Sequence, residues 1–228
     1  MIVADQQTFG RGRGDRHWHS PVGGLYLSLL LKPSKFVQVT DFSLLAGVTL
    51  SQTVKSFVPS EDRVGVKWPN DCLLNGKKVG GVLCEVLGER GDFSVIVGVG
   101  LNVNTPLEAL KPFEHRPFQA TSMKRTSTLS AIKIDDVVER FLDLFFRGYE
   151  EYLSKGFGFV QNLWEKECLF IGKKIELRET GLASKTETVG TSIQGIFLGI
   201  DERGALVLSQ GHGERKSYVT GEITCYWP

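Results

Sequence analysis

The apolar and polar positions fall into three successive patterns. Residues 24–32 (GLYLSLLLK) form a nearly unbroken apolar, β-prone run, as expected of a strand inside a sheet. Over residues 41–57, Leu44, Leu45, Val48, Val54 and Phe57 recur at helical spacing, and Thr40 or Asp41 is placed to cap that helix. Strand-like runs follow at 63–68, 71–74, 77–87 and 93–102. Asn75-Gly76, a strong hairpin signal, separates two of them, and the polar turn 88–92 separates the last pair. The pattern predicts an α+β fold, a mixed, largely antiparallel sheet with helices on one face. Ile2-Val3-Ala4 has strand composition directly after Met1, and so abrupt a start predicts further structured elements upstream in a longer relative.

The second pattern begins at residue 105. Residues 105–133 carry Pro106, Pro112 and Pro117 with a Ser/Thr-rich stretch, read as a long loop that is either a substrate lid or a solvated connector. Helical periodicity returns over 134–153 through Val137, Val138, Phe141, Leu142, Leu144, Phe145 and Tyr149, and a further helix is expected near 159–168. The third pattern is a set of short strands at 174–179, 195–200, 205–209 and 216–219, joined by Gly-rich turns. It predicts a small β-barrel. The expected domains are therefore 1–168 and 169–228.

Composition narrows the chemistry. At 228 residues, 41% hydrophobic and 23% charged, the chain is ordinary for a globular protein with one sizeable core and a smaller second one. A net charge of +1 gives no overall attraction to polyanions, so nucleic-acid binding would need locally segregated basic residues. Cys72, Cys84, Cys168 and Cys225 lie far apart without C-x-x-C spacing, which favours reduced, mostly buried thiols over a metal or disulfide site. With no apolar run long enough to span a bilayer and no secretory signal pattern, a cytoplasmic protein is expected, or one of an organelle stroma or matrix if a presequence precedes Met1.

Four segments carry candidate chemistry. Residues 10–20 (GRGRGDRHWHS) place three glycines and three arginines together. Glycine allows close backbone approach and each guanidinium offers a planar fork of donors, so the loop suits a carboxylate or phosphate; a disordered nucleic-acid tail is the competing reading. In Lys67-Trp68-Pro69-Asn70-Asp71, a lysine, a ring and a carboxylate flank a rigid turn, with Asp71 either a base or metal ligand or simply a turn residue. Lys77-Lys78-Val79-Gly80-Gly81 sets two glycines inside an apolar strand, for a ligand lying across the sheet or for a β-bulge. Gly98-Val99-Gly100-Leu101-Asn102-Val103-Asn104 puts two glycines on one strand face with an amide where the strand ends. It lacks the third glycine of a dinucleotide fingerprint.

Taken in order, GRGRGDRHWHSP, KWPND, KKVGGVLCE and GVGLNVN, with GIDERGALVL and TGEI near the C-terminus, resemble the biotin protein ligases, or holocarboxylase synthetases, over nearly the whole chain. The resemblance implies a class II synthetase-like catalytic domain with an SH3-like C-terminal barrel. It also implies a two-step reaction: biotin and MgATP give biotinyl-5′-AMP, and a lysine of a biotin carboxyl carrier domain takes the biotinyl group. By resemblance, Lys78, Asp71 and Arg13 are catalytic. Lys78 bridges the biotin carboxylate and the α-phosphate, and Asp71 orients or deprotonates the acceptor amine. Gln7, Gly10, Arg11, Gly12, Arg13, Trp18, Lys67, Lys78, Gly80, Gly81, Gly98, Gly100 and Leu101 are implied to bind biotin or the adenylate. Asn102, Thr121 and Ser122 are implied on the ATP side, Asn102 holding Mg²⁺ or a phosphate oxygen and Thr121 and Ser122, with Ala120, lying on the adenine side. ATP, Mg²⁺ and biotin are the implied small molecules, in a monomer or homodimer that contacts neither DNA nor membrane.

Two departures from the family pattern stand out. Asp15 occupies a glycine place in the Arg-Gly loop, which predicts weaker anion binding, and the stretch that precedes this region in family members is expected to be missing. The alternatives are a lipoate or octanoate ligase or transferase of the same superfamily, or a catalytically impaired carrier-binding module.

Overall fold

The computed structural model describes residues 1–33, 38–89, 92–110, 118–125, 131–178 and 192–227. A six-stranded sheet is built from β1 (Ile2–Ala4), β2 (Leu25–Leu31), β3 (Val64–Lys67), β4 (Asp71–Leu74), β5 (Lys77–Glu89) and β6 (Asp92–Leu101) in the order β1-β2-β6-β5-β4-β3. Every ladder in it is antiparallel. The β4–β5 hairpin turns on Asn75 and Gly76, both at positive φ, as the Asn-Gly pair predicts.

Helices α1 (Val39–Lys55), α3 (Ile134–Lys155) and α4 (Phe157–Glu167) pack against this sheet, and a single turn, α2 (Leu107–Leu110), follows β6. The apolar stripe of α1 (Phe42, Leu44, Leu45, Val48, Leu50 and Val54) is fully buried, together with Val137, Phe141 and Phe145 of α3. The α1 cap differs from expectation. Gln38 occupies the N-cap without a side-chain hydrogen bond, and Asp41 lies in the first turn, where its Oδ2 accepts a 2.7 Å bond from Tyr152 Oη. The buried phenol across the helix interface is a better partner for that carboxyl than the helix's own backbone. Part of the candidate lid, 111–117 and 126–130, lies outside the described residues.

The C-terminal strands are β7 (Lys174–Arg178), β8 (Ser192–Ile200), β9 (Leu206–Ser209), β10 (Arg215–Tyr218) and β11 (Glu222–Trp227), in one antiparallel sheet of order β10-β9-β8-β7-β11. The expectation of a barrel needs correction: among the described residues no ladder joins the edge strands β10 and β11. Yet only residues 219–221 connect those opposite edges, a span of at most about 14 Å, so the sheet must coil until its ends approach. This is a strongly curled sheet left open along one seam. Its core of Ile175, Leu177, Phe197, Leu206, Leu208 and Ile223 packs against α4, with Trp164 edge-on to Phe197 at 6.3 Å.

The join between the two sheets is polar as well as apolar. Trp68, 2% exposed, donates its indole N–H to the Gly204 carbonyl at 3.1 Å. Glu165 Oε1 accepts from the Ile200 N–H at 3.1 Å, and Gln161 Nε2 donates to the Ile200 carbonyl at 2.6 Å. Among the described residues, no helix is long and apolar enough to cross a membrane.

Candidate active site

Strand register lays out the floor of the site. Cross-strand partners share a face, and the pairings Tyr26↔Gly100, Gly100↔Gly81, Gly81↔Asp71 and Asp71↔Lys67 form one row across five strands. The next row contains Ser28, Gly98 and Leu83. On the face opposite the helices, Gly81, Gly98 and Gly100 leave the backbone bare over a cavity of about 280 Å³.

A β-bulge brings the lysine onto this face. Residues 78 and 81 are an odd number apart and would point to opposite sides of a regular strand. The β4–β5 register shifts between Cys72 and Leu73, so Lys78 pairs with Leu73 while Gly81 pairs with Asp71. Lys78 and Gly81 therefore share the face of Asp71. Both readings of the KKVGG segment hold together here, because the bulge is the device that aims Lys78.

Asp71 is the electrostatic centre of the site. Its Oδ1 lies 2.5 Å from Lys78 Nζ and its Oδ2 lies 3.1 Å from Lys67 Nζ. Burial on its own would raise the pKa of Asp71. The charges and hydrogen bonds of Lys78 and Lys67 outweigh that and hold the carboxyl well below the usual carboxylate range. So strong an acid orients an ammonium better than it accepts a proton, which favours the first of the two expected roles of Asp71.

The Arg-Gly segment, expected to have no regular structure, is a distorted hairpin. Isolated bridges pair Gln7 with Ser20 and Arg11 with His17, and Gly14 at φ +59° turns the tip. A Cβ at Gly10 would lie 2.2 Å from the Trp18 carbonyl oxygen, so glycine there lets the two arms close. Arg11, Gly12, Arg13, Arg16, His17, Trp18 and His19 line the cavity, whereas Gly10 and Asp15 do not. Asp15 is exposed at the tip. Its expected weakening of anion binding would have to act from the tip, outside the cavity lining.

The loop is tied down at three points. Arg11 pairs with Glu85 of β5 at 2.8 Å, Arg13 Nη1 donates to the Gly221 carbonyl at 3.3 Å, and Arg16 pairs with Glu222 of β11 at 2.9 Å. Two of the three ties are to the C-terminal sheet. Trp18 lies on Gly100, where a Cβ would come within 2.6 Å of its Nε1, and the Lys78 ammonium sits 5.4 Å from the indole centroid.

Two buried polar atoms at the cavity lack partners among the described residues: Trp18 Nε1, a donor, and Asn102 Oδ1, an acceptor. Asn102 spends its Nδ2 on the Thr121 carbonyl at 3.0 Å, which leaves the oxygen free. Unsatisfied buried groups are costly unless a ligand completes them. Gln7, which also lines the cavity, accepts from Ser20 Oγ at 2.8 Å.

Besides Gly10, four expected contacts fall elsewhere. Gly80 faces the helix layer, where a Cβ would lie 3.1 Å from Leu50, and Leu101 is wholly buried; both belong to the core because they alternate with Gly81 and Gly100. Thr121 and Ser122 are buried outside the cavity lining, with Ser122 Oγ donating to the Val103 carbonyl at 2.9 Å. Their neighbour Ala120 does line the cavity, held beside Lys78 by a parallel bridge. Glu85, Phe118 and Glu222 are among the lining residues that were not expected there. TGEI was the one sequence signal for Glu222. Glu85 closes the KKVGGVLCE motif, and nothing in the sequence marked Phe118.

The family model described as biotin/lipoate A/B protein ligase family matches residues 1–102, and biotin protein ligase C terminal domain matches 187–224. The chain is 38% identical over 223 residues to the bifunctional ligase/repressor BirA of Bacillus spizizenii, covering 96% of this chain and 64% of that protein. It therefore spans about two thirds of that relative. It is 31% identical to the biotin--[acetyl-CoA-carboxylase] ligase of Paracoccus denitrificans, covering 97% of this chain and 88% of that one. Among solved structures, the biotin protein ligase of Aquifex aeolicus in complex with biotin and ATP superposes with a TM-score of 0.76 at 30% identity, covering 99% of this chain and 87% of that one.

Proposed function

The chain belongs to the biotin protein ligases of the biotin/lipoate A/B protein ligase family, and on that premise we propose that it activates biotin with MgATP and transfers the biotinyl group to a lysine of a biotin carboxyl carrier domain. The observation that carries this reading is the placing of Lys78 at the end of a bare glycine floor, in one cavity with Arg11, Arg13 and the unpaired Asn102 Oδ1.

In the first step a carboxylate attacks the α-phosphate, and two anions must meet. Lys78 meets the biotin carboxylate and the α-phosphate, and Arg11 and Arg13 of the loop meet the remaining phosphate charge. The biotin carboxylate oxygen bonds to phosphorus and pyrophosphate leaves. Gly81, Gly98 and Gly100 let biotin's fused rings lie against the sheet. Trp18 walls the nucleotide side.

Mg²⁺ enters with the triphosphate as part of the substrate. Asn102 Oδ1 is a neutral oxygen suited to a hard cation that keeps most of its ligands as phosphate and water. Among the described residues no group of three or more His, Cys, Asp or Glu could hold such an ion by itself.

In the second step the carrier lysine loses a proton to solvent water, and its neutral nitrogen then attacks the acyl carbon, forming the amide as the bond to AMP breaks and AMP leaves. Asp71 Oδ1 receives the ammonium as it arrives. Biotin-dependent exchange of labelled pyrophosphate into ATP tests the first step. Exchange with biotin and none with lipoate is expected, and exchange with lipoate alone would overturn the reading.

A further inference from the structure

The reaction proposed above uses Lys78 and Asp71 and leaves Lys67 without a task. Lys67, expected to touch biotin or the adenylate, is among the residues lining the cavity, yet it is 1% exposed and its ammonium is held by protein groups. It pairs with Asp71 Oδ2 at 3.1 Å, donates to the Ile223 carbonyl at 3.3 Å, sits 4.4 Å from the Phe118 ring centroid and lies 3.9 Å from Glu222 Oε1. Lys78 shares the Asp71 carboxylate but differs in exposure. Its side chain is 29% exposed, it opens onto the cavity, and its charged partner among the described residues is Asp71 Oδ1. One lysine is fixed and the other is able to turn.

Resting on the ligase reading, we propose that Lys67 is a positioning residue whose fixed charge keeps Asp71 an anion while Lys78 turns to the substrate, so that one carboxylate serves both half-reactions. Oδ2 stays on Lys67 throughout. Oδ1 is released by Lys78 when the biotin carboxylate and α-phosphate arrive, and it then receives the ε-ammonium of the carrier lysine. Asp71 is 6% exposed, and a carboxylate so buried is strongly disfavoured without a counter-ion. Lacking Lys67, it would either hold Lys78 back or take up a proton when Lys78 leaves.

These two failures have opposite pH dependences, which makes the proposal testable. The charged groups around Asp71 are Lys67 from β3, Lys78 from β5 and Arg13 from the loop, while Glu222 of β11 faces Lys67 and holds Arg16. Adenylate formation and single-turnover transfer from preformed biotinyl-adenylate are measured separately across the acid and neutral range. The proteins are the unsubstituted chain, Lys67→Met, Lys67→Arg and the double variant Lys67→Met/Asp71→Asn.

In Lys67→Met, adenylation is expected to slow by about tenfold or more as pH rises, because ionised Asp71 captures Lys78. Transfer in the same variant is expected to slow as pH falls, because Asp71 protonates. Lys67→Arg restores both slopes. The double variant restores adenylation and not transfer, and it keeps the test available if Lys67→Met fails to fold, since it removes the buried charge and its partner together. Lys67→Met profiles parallel to those of the unsubstituted chain, or a double variant defective in adenylation, would overturn the proposal. Absence of biotin-dependent exchange in the unsubstituted chain would instead remove the ligase reading on which the proposal stands.

Discussion

Replacing Lys78 by alanine is expected to slow biotin-dependent pyrophosphate exchange by about 10²- to 10³-fold, the range seen when a preorganised electrostatic donor is removed from a transition state. Two features make the loss large. The β-bulge leaves Lys78 as the ammonium that opens onto the glycine floor, whereas Lys67 is enclosed by Asp71, Glu222, Ile223 and Phe118. The competing charges at the centre are anionic, so without Lys78 the biotin carboxylate and the α-phosphate would meet beside Asp71 with one cation fewer. Lys77→Ala serves as the control. Lys77 carries the same charge one residue away and does not line the cavity, so its loss is expected to change the rate by less than about threefold. The fold should survive Lys78→Ala, because Asp71 keeps Lys67. Equal losses in the two variants would mean that net charge, not aim, governs the step.

The largest expected effect on stability belongs to Trp68. Trp68→Ala is expected to cost about 3–5 kcal/mol, the usual range for emptying a fully buried aromatic site, which for a chain of this size lowers Tm by roughly 6–20 °C. The indole fills the space between β3 and the C-terminal sheet, and its N–H is given to the Gly204 carbonyl. Trp68→Phe separates the two contributions. It keeps most of the apolar volume, leaves the carbonyl without its donor, and is expected to cost on the order of 1–3 kcal/mol. Thermal melts of both variants check the ranking. Because Trp68 directly follows Lys67, its loss should also loosen the Asp71 cluster, so that transfer declines more than the melting shift alone accounts for.

The elements were legible in the sequence where a single period ran unbroken. The apolar run of β2, the helical stripe of α1 and the Asn75-Gly76 turn each depend on local chemistry, and each appears within a residue or two of its expected limits. The composition of the site was also legible, since glycines inside strands and arginines between glycines are costly without a ligand. Its geometry was less so. Period-two reasoning places Lys78 and Gly80 on one face, and only the register shift against β4 reveals that Gly81 is the floor residue and Gly80 a core one. Likewise the partners of the loop arginines, Glu85 and Glu222, lie 74 and 206 positions from Arg11 and Arg16, and no local pattern announces a contact of that range. The closed barrel failed for a related reason. Strand count and spacing suggest closure, but whether the two edges zip depends on their register across a three-residue connection.

The C-terminal sheet is consequently part of the site. Gly221 and Glu222 anchor Arg13 and Arg16, and Ile223 supplies a carbonyl to Lys67, so the loop that closes over the cavity and the lysine that holds Asp71 both end on β11 or the residue before it. The ion pairs and hydrogen bonds around the cavity therefore cross between the two sheets, and the Arg-Gly loop is anchored on both.

The most direct test of the account is the mass of the acceptor. A biotin carboxyl carrier domain of the acetyl-CoA carboxylase type is incubated with this chain, biotin and MgATP, then analysed intact and by peptide mapping. The account predicts a gain of one biotinyl group on a single lysine, dependent on ATP and lost in the Lys78→Ala variant. A carrier that remains unmodified, or one labelled equally well by Lys78→Ala, would contradict it.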